Sequence, residues 1–229
     1  MMMKKTIPAS IFKFLKDVQQ NNNRPWFAEN KARYQEAYQQ MKTFSDVVLD
    51  KMSHLDEIEE LKLYRIYRDV RFSKDKLPYK THMSGYLRRA TNRLRGGYYF
   101  HIEPGNSFVG GGFWGPHKDD LKRIREEIAA DDQALRKILN SASFKKTFGT
   151  LKGDCLKTAP RGYAKDHPAI DLLRHKQFII WKSFSDEEVM SPKFAGETVK
   201  VFKNMRPFFD YMSEVLTTDS NGVSILEER

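Results

Sequence analysis

The chain has 229 residues, of which 40% are hydrophobic and 31% charged, so it can bury a core and is not disordered as a whole. Its single cysteine, Cys155, excludes an internal disulfide and a thiolate metal site, and is expected to be a small buried or half-buried residue in a reducing compartment. No apolar run near the N-terminus has the length of a signal peptide or membrane span, so we expect a cytoplasmic protein with no membrane partner.

Helical patterns come first along the chain. Residues 8–21 carry apolar side chains every three or four positions, which predicts a short amphipathic helix. The same spacing continues from about Pro25 to residue 52 and predicts a longer helix with the proline in its first turn. Each helix would present one apolar face to the core.

The middle of the chain changes to the period of β-strands. Residues 61–72 alternate between two sets of side chains, and residues 98–103 are rich in aromatic side chains. A Pro-Gly-Asn sequence at residues 104–106 predicts a hairpin turn, with the returning strand over residues 107–114.

The second half of the chain mixes helical and strand patterns. Helices are predicted over residues 116–129, 131–140 and 194–216, and strands over residues 151–158 and 177–184. Asp131 or Asp132 would cap the second of these helices. Pro207 is expected to bend or divide the last one.

Together these patterns predict an α+β fold of the two-layer α/β type. A mainly antiparallel twisted sheet would be packed by the N-terminal and C-terminal helices. We predict a single domain over residues 1–229, with its core over about residues 7–216 and a polar C-terminal tail over residues 217–229.

Positive charge is concentrated in residues 62–95. The formal net charge of the chain is +10, and this segment contains eleven Lys and Arg against two Asp, whereas the rest of the chain is almost balanced. A field this local attracts phosphates, nucleic acid or acidic protein surfaces. The structural alternative is a solvated basic face whose arginines pair with carboxylates elsewhere in the fold.

The most informative stretch of that segment is residues 65–80, a predicted strand and the turn after it. Arg68 would project among apolar neighbours, where a charge is costly unless it is ion-paired or binds a ligand. We predict a site here for a small ligand that bears phosphate or carboxylate groups. The residues assigned to it are Arg68, Arg71, Lys76, Tyr79 and Lys80, with Asp69 as the candidate for orienting an arginine or acting as a base.

Three consecutive glycines, residues 110–112, interrupt the predicted strand over residues 107–114. Glycines inside a strand cost conformational entropy and need a bulge, a bend, or the close approach of a ligand or another backbone. Gly111 is therefore assigned to the anion site, with a tightly covered strand as the alternative. The stretch has neither the phosphate-loop nor the dinucleotide pattern, and no cofactor is predicted.

The six histidines show no metal-ligand spacing such as His-Glu-x-x-His, so no metal site is predicted, although ligands from distant positions would leave no such pattern. His101, on the aromatic strand, is the histidine to inspect, with an ordinary sheet-face side chain as the simpler interpretation. Five aromatic side chains could stack on bases beside the basic segment, which leaves nucleic-acid binding open; they are Tyr98, Tyr99, Phe100, Phe113 and Trp114.

Several motifs along the chain are those of a known family. They are RDVRFSKDKLPYK at residues 68–80, GYYFHI at 97–102, GGGFW at 110–114, APRGY at 159–163, DHP at 166–168 and NRPWF at 23–27. Over about residues 7–216 the sequence resembles the bacterial and fungal conserved hypothetical proteins grouped as domain-of-unknown-function family 2461. The resemblance implies one soluble, cytoplasmic α/β domain, and it brings no established activity, cofactor or catalytic residue.

The sequence thus leads to three functional hypotheses. The first is an anion-binding domain for a small ligand, with catalysis left open. The alternatives are a nucleic-acid-binding protein that uses residues 62–95, and a structural or protein-interaction module whose basic face meets an acidic partner.

Overall fold

The computed structural model describes residues 6–219 and 221–226. The first helices are α1 (Ala9–Gln20), α2 (Arg24–Glu29) and α3 (Lys31–Ser53). The prediction for residues 8–21 is confirmed. The long second helix is instead two helices, because the chain leaves helical geometry at Asn30, whose φ of −102° and ψ of 13° end α2. The Asn30 side chain donates to the carbonyl of Trp26, and this local bond competes with helix continuation.

The sheet contains five strands in the order β1-β2-β3-β4-β5, and it is antiparallel and open. The strands are β1 (Ile58–Leu63), β2 (Met83–Arg89), β3 (Gly97–Ile102), β4 (Ser107–Phe113) and β5 (Phe178–Phe184). The hairpin of β3 and β4 and the strand near residues 177–184 were predicted correctly.

The remaining helices follow the hairpin. They are α4 (Lys118–Ala130), α5 (Gln133–Asn140), α6 (Ala142–Phe148), α7 (Ile170–Leu173), α8 (Asp186–Met190) and α9 (Phe194–Thr217). α9 is one continuous helix through Pro207, so the expected division does not occur. Its apolar face is fully buried around the proline, and that burial outweighs the one backbone hydrogen bond that proline removes. The α+β class, with helices at both ends of the chain, is confirmed.

Two strand predictions fail, and one strand was missed. β1 ends at Leu63, so most of residues 61–72 lies outside the sheet. Residues 151–158 form only isolated bridges at Lys152 and Cys155. β2 was not predicted, because six of its seven residues are buried or half-buried and its sequence lacks a clear alternation.

Contacts group the chain into two compact units. The first consists of residues up to Leu87, Tyr99–Val109 and Ser183–Lys200, and the second of Arg88–Tyr98, Gly110–Lys182 and residues from Val201 onward. In the first unit Phe44 meets Phe100 edge-on and stacks on Phe194, each at 5.4 Å between ring centroids. In the second, Tyr98 packs against Phe202 at 4.9 Å. The single-domain organisation stays a prediction.

The sequence also led to expectations about membrane spans, Cys155 and the C-terminal tail. Within residues 6–219 and 221–226, no helix has both the length and the apolar character needed to cross a membrane. Cys155 is exposed rather than buried, although its backbone forms a bridge with His175. Of the predicted polar tail, residues 220 and 227–229 lie outside the described residues, and Thr218 forms a bridge with Ser224.

Candidate functional site: the basic loop and the histidine cluster

Residues 64–82 connect β1 to β2 and contain most of the predicted site; we call them the basic loop. Its two arms run antiparallel, because the Arg68 N–H donates to the Pro78 carbonyl at 2.9 Å and the Lys80 N–H donates to the Ile66 carbonyl at 2.8 Å. The charged residues around the tip, 69–77, are largely exposed. The basic loop therefore folds on itself instead of extending the sheet.

Tyr79 attaches the basic loop to the N-terminal helices. Its ring stacks on Phe27 with 3.9 Å between centroids, and the Asn22 side chain binds both its backbone N–H and its carbonyl. The side chain is 7% exposed, and burial raises the pKa of the Tyr79 hydroxyl. Tyr79 positions the loop, and its contact with a ligand stays a prediction.

The two arginines of the predicted site have carboxylate partners. Arg68 lies 2.6 Å from Asp75, and Arg71 makes a two-point contact with Asp69 at 2.9 and 2.6 Å. The hydrogen bond from Arg71 lowers the pKa of Asp69, so this carboxylate is ionised near neutral pH. The backbone N–H of Leu77, followed by Arg68, lowers the pKa of Asp75. Both carboxylates lie in the basic loop itself, so Arg68 and Arg71 are ion-paired within the charged segment and not with carboxylates elsewhere in the fold.

Lys76 is used by the loop itself. Its ammonium donates to the carbonyls of Val70 at 3.0 Å and Arg71 at 3.4 Å. These two backbone carbonyls lie outside the sheet, and the Lys76 ammonium gives each of them a hydrogen-bond donor. Lys76 is exposed, so an added ligand would share its ammonium with the loop backbone.

Lys80 is in a different position. Its ammonium lies 5.3 Å from the ring centroid of Tyr64 and is half-buried. No carboxylate in the part of the chain that the structure describes forms an ion pair with it. Burial lowers the pKa of Lys80, and the positive charge of Arg65 lowers it further. This residue is the least compensated cation of the predicted set.

Gly111 belongs to the second unit, where its surroundings leave no room for a side chain. A Cβ there would lie 2.4 Å from the carbonyl oxygen of Gly97 and 2.8 Å from the ring of Phe209. Gly112 has a φ of +125°, and its Cβ would lie 2.2 Å from the carbonyl oxygen of Phe178. Close approach of neighbouring backbone accounts for these glycines.

A second group of polar side chains lies where the basic loop ends and β2 begins. It consists of His82, His101 and Glu103, and we call it the histidine cluster. The alternation of β3 places Tyr98 and Phe100 on the fully buried face and Tyr99 and His101 on the opposite one. Glu103 follows the strand with the same parity as His101. His82 immediately precedes β2, the neighbour of β3, and its ring centroid lies 4.0 Å from that of His101.

Hydrogen bonds fix the position of Glu103 and His101. Glu103 accepts from Thr81 at 2.6 Å and from Asn106 at 2.8 Å, and one of its oxygens lies 3.2 Å from Nε2 of His101. The other ring nitrogen of His101, Nδ1, lies 3.1 Å from the Tyr99 hydroxyl. His101 is therefore held at both nitrogens.

Burial sets the charges in the histidine cluster. It lowers the pKa of His101, and it lowers the pKa of His82 to about 4, with help from the repulsion of His101. Burial would raise the pKa of Glu103, but hydrogen bonds led by that from Thr81 outweigh it and lower this pKa. Near neutral pH the cluster consists of two neutral imidazoles and one carboxylate.

Comparison with known proteins places these residues in a family. The family model of a conserved hypothetical protein, DUF2461, matches residues 10–211. The chain belongs to this family. No curated protein and no solved structure matches it. The basic loop and the histidine cluster of this DUF2461 protein both lie inside the matched region.

Sequence reasoning singled out His101 of the histidine cluster and missed the other two residues. A His-x-Glu pair on a strand puts both side chains on one face, and that signal was available at residues 101 and 103. His82 could not be added to them, because its position depends on β2, the strand that the sequence pattern did not reveal. In this DUF2461 protein the histidine cluster could not be predicted in full, because the sequence pattern did not predict β2.

Proposed function

We propose that this protein binds a small ligand carrying phosphate or carboxylate groups, at the surface of Lys80 and Arg68 beside the histidine cluster. The observation that carries the proposal is the half-buried Lys80 ammonium, which has no carboxylate partner in the described ranges 6–219 and 221–226. A buried charge without a partner is unfavourable, and a ligand anion would offset that penalty. The positive charges of Lys80 and Arg68 both reach His82, since both lower its pKa.

Arg68 is available as the second anion contact. Its ion pair with Asp75 is partly exposed, with side-chain exposures of 27% and 53%. Exposed ion pairs stabilise a fold by about 1 kcal/mol or less, so a ligand anion competes with Asp75 at little cost. A guanidinium can then bind a carboxylate or phosphate through two parallel hydrogen bonds. Lys80 would supply the fixed charge and Arg68 the directional contact.

The proposal is tested by thermal unfolding in the presence of inorganic phosphate, a sugar phosphate and a dicarboxylate, each with EDTA. A ligand at 100 times its dissociation constant should stabilise the fold by about 2.7 kcal/mol. Lys80→Met should abolish the stabilisation. Lys62→Met is the matched control, because Lys62 also lies over the Tyr64 ring, at 5.7 Å, but is exposed. Equal stabilisation of both variants would contradict the proposal.

A second candidate function is binding of single-stranded nucleic acid, and the observation that favours it is the exposure of Phe72. This side chain is 96% exposed, on a loop tip that also carries Arg71, Lys74 and Lys76. Bases stack on such rings while cations bind the backbone phosphates. Affinity would then rise with oligonucleotide length, fall steeply with salt and drop in Phe72→Ala. A flat response to both ligand classes would favour a protein-interaction role for the basic loop.

A further inference from the structure

The histidine cluster has the donor atoms of a metal site. His82, His101 and Glu103 each offer one such atom, and these atoms all lie within 4.8 Å of one another. Imidazole nitrogens with a carboxylate oxygen are the ligands of many zinc sites and of non-haem iron(II) sites. His101 lies in β3, Glu103 follows β3 directly and His82 directly precedes the neighbouring strand β2, so the pairing of these two strands brings the three side chains together.

One pair of donors already has the required separation. Nε2 of His101 and the nearest Glu103 oxygen are 3.2 Å apart. Two ligands of a tetrahedral ion with bonds of about 2.0–2.1 Å are separated by about 3.3 Å. An ion can therefore bind this pair with almost no movement of β3. The His82 side chain makes no hydrogen bond with the rest of the described chain, so no such bond has to break for one of its nitrogens to bind the same ion.

The surroundings of the pair resemble the outer shell of a metal site. Thr81 and Asn106 each donate to Glu103, and the Tyr99 hydroxyl lies against Nδ1 of His101. When Nε2 binds an ion, the ring proton moves to Nδ1 and the Tyr99 hydroxyl becomes its acceptor. Such partners fix the orientation of metal ligands.

Packing holds the His101 ring in place as well. Phe108 stacks on it with 4.8 Å between centroids and 12° between planes. The side chains of His101 and Glu103 are only 10% and 16% exposed, and His82 is half-buried. The histidine cluster is therefore mostly enclosed by protein.

We propose that His82, His101 and Glu103 bind one divalent transition-metal ion of the zinc or iron(II) class. Three protein ligands leave at least one coordination position for water or for a ligand oxygen. The site goes beyond the proposed anion binding and does not depend on it, because neither Lys80 nor Arg68 supplies a metal ligand.

The test uses the full chain without an affinity tag, treated with EDTA and desalted. Titration with Zn²⁺, followed by calorimetry and metal analysis after dialysis, should give one bound ion per chain. His101→Ala and His82→Ala should each weaken binding at least about tenfold, and Asn106→Ala should weaken it about tenfold through Glu103. His54→Ala is the matched control, since His54 is exposed and outside the cluster. Unchanged affinity in both cluster variants would overturn the proposal.

A measurement on the wild-type protein covers the case in which a variant does not fold. Histidine side-chain NMR during Zn²⁺ addition should shift the ring signals of His82 and His101 and leave that of His54 in place. Shifts confined to other histidines, or none at one equivalent, would refute the site. Lys80→Met should bind Zn²⁺ like the wild type, which separates failure of anion binding from failure of metal binding.

Discussion

Asp210 accepts a hydrogen bond from the guanidinium of Arg89, with 2.5 Å between the two atoms, and the Arg89 side chain is fully buried. The same guanidinium also donates to the Arg95 carbonyl at 3.2 Å and to Ser213 at 3.3 Å, within the second unit. Removing one member of a buried ion pair leaves the other charge uncompensated. The carboxylate is therefore more important to stability than its own 47% exposure indicates.

We expect Asp210→Ala to lower the free energy of unfolding by about 3 kcal/mol. Urea denaturation of the variant and the wild type measures this difference in the free energy of unfolding. Asp154→Ala is the control, because the pair of Asp154 with Lys176 is exposed and should contribute about 1 kcal/mol or less. A loss below 1 kcal/mol for Asp210→Ala would show that the other acceptors suffice for Arg89.

Gly111→Ala should destabilise the protein by about 3 kcal/mol, because the new Cβ would lie 2.4 Å from the Gly97 carbonyl oxygen. Gly196→Ala should instead be neutral or stabilise by up to about 1 kcal/mol, since Gly196 is exposed in the first turn of α9 with no atom within 4 Å of the added group. Thermal denaturation distinguishes the two variants. A stable Gly111→Ala protein that loses only ligand binding would instead support the predicted role of Gly111 in the anion site.

Asp75→Asn should strengthen binding of the anionic ligand. The change removes the negative charge that competes for Arg68 at 2.6 Å, so the guanidinium becomes available to phosphate. We expect a lower phosphate concentration at the midpoint of thermal stabilisation than for the wild type. Asp69→Asn, which frees Arg71 at the exposed loop tip, serves for comparison, and an equal gain there would move the site to the tip.

Stability should fall as the pH drops below about 6.5, and His175 should contribute to this slope. Burial lowers the pKa of His175, so the unfolded chain binds more protons than the folded one, and the contribution is complete above pH 6.5 and lost as the pH falls. His175→Gln should flatten the dependence of the unfolding free energy on pH between 7 and 5. The lowered pKa values of His82 and His101 leave part of the slope in place.

The outcome that would contradict this prediction is a His175→Gln protein whose unfolding free energy depends on pH as steeply as that of the wild type. In that case His175 is protonated to the same extent in the folded and unfolded chains.

Local patterns predicted several elements because their physical cause is local. The 3.6-residue period of residues 8–21 and 194–216 identifies amphipathic helices, and a Pro-Gly-Asn turn between aromatic runs identifies the β3–β4 hairpin. The α+β class follows from the order of these elements. The family was also recognisable from the sequence, because its motifs are contiguous stretches such as residues 68–80.

The basic loop shows where a local pattern misleads. The alternation over residues 61–72 has the period of a strand, yet β1 ends at Leu63, and from Ile66 the chain pairs with residues 78–80 of the same loop. Whether a segment joins a sheet depends on which neighbour offers free N–H and carbonyl groups, and its own period does not encode that neighbour.

By itself the sequence determined the fold class, most helices, the hairpin, the family and the concentration of positive charge in residues 62–95. Only the tertiary structure decided how those charges are used: Arg68 and Arg71 are paired, whereas Lys80 is left half-buried without a carboxylate in the ranges described. It also decided that His82 meets His101 and Glu103. The reason is physical: composition and period record what each residue contributes locally, but pairing and ligand geometry arise from strand neighbours that are distant along the chain.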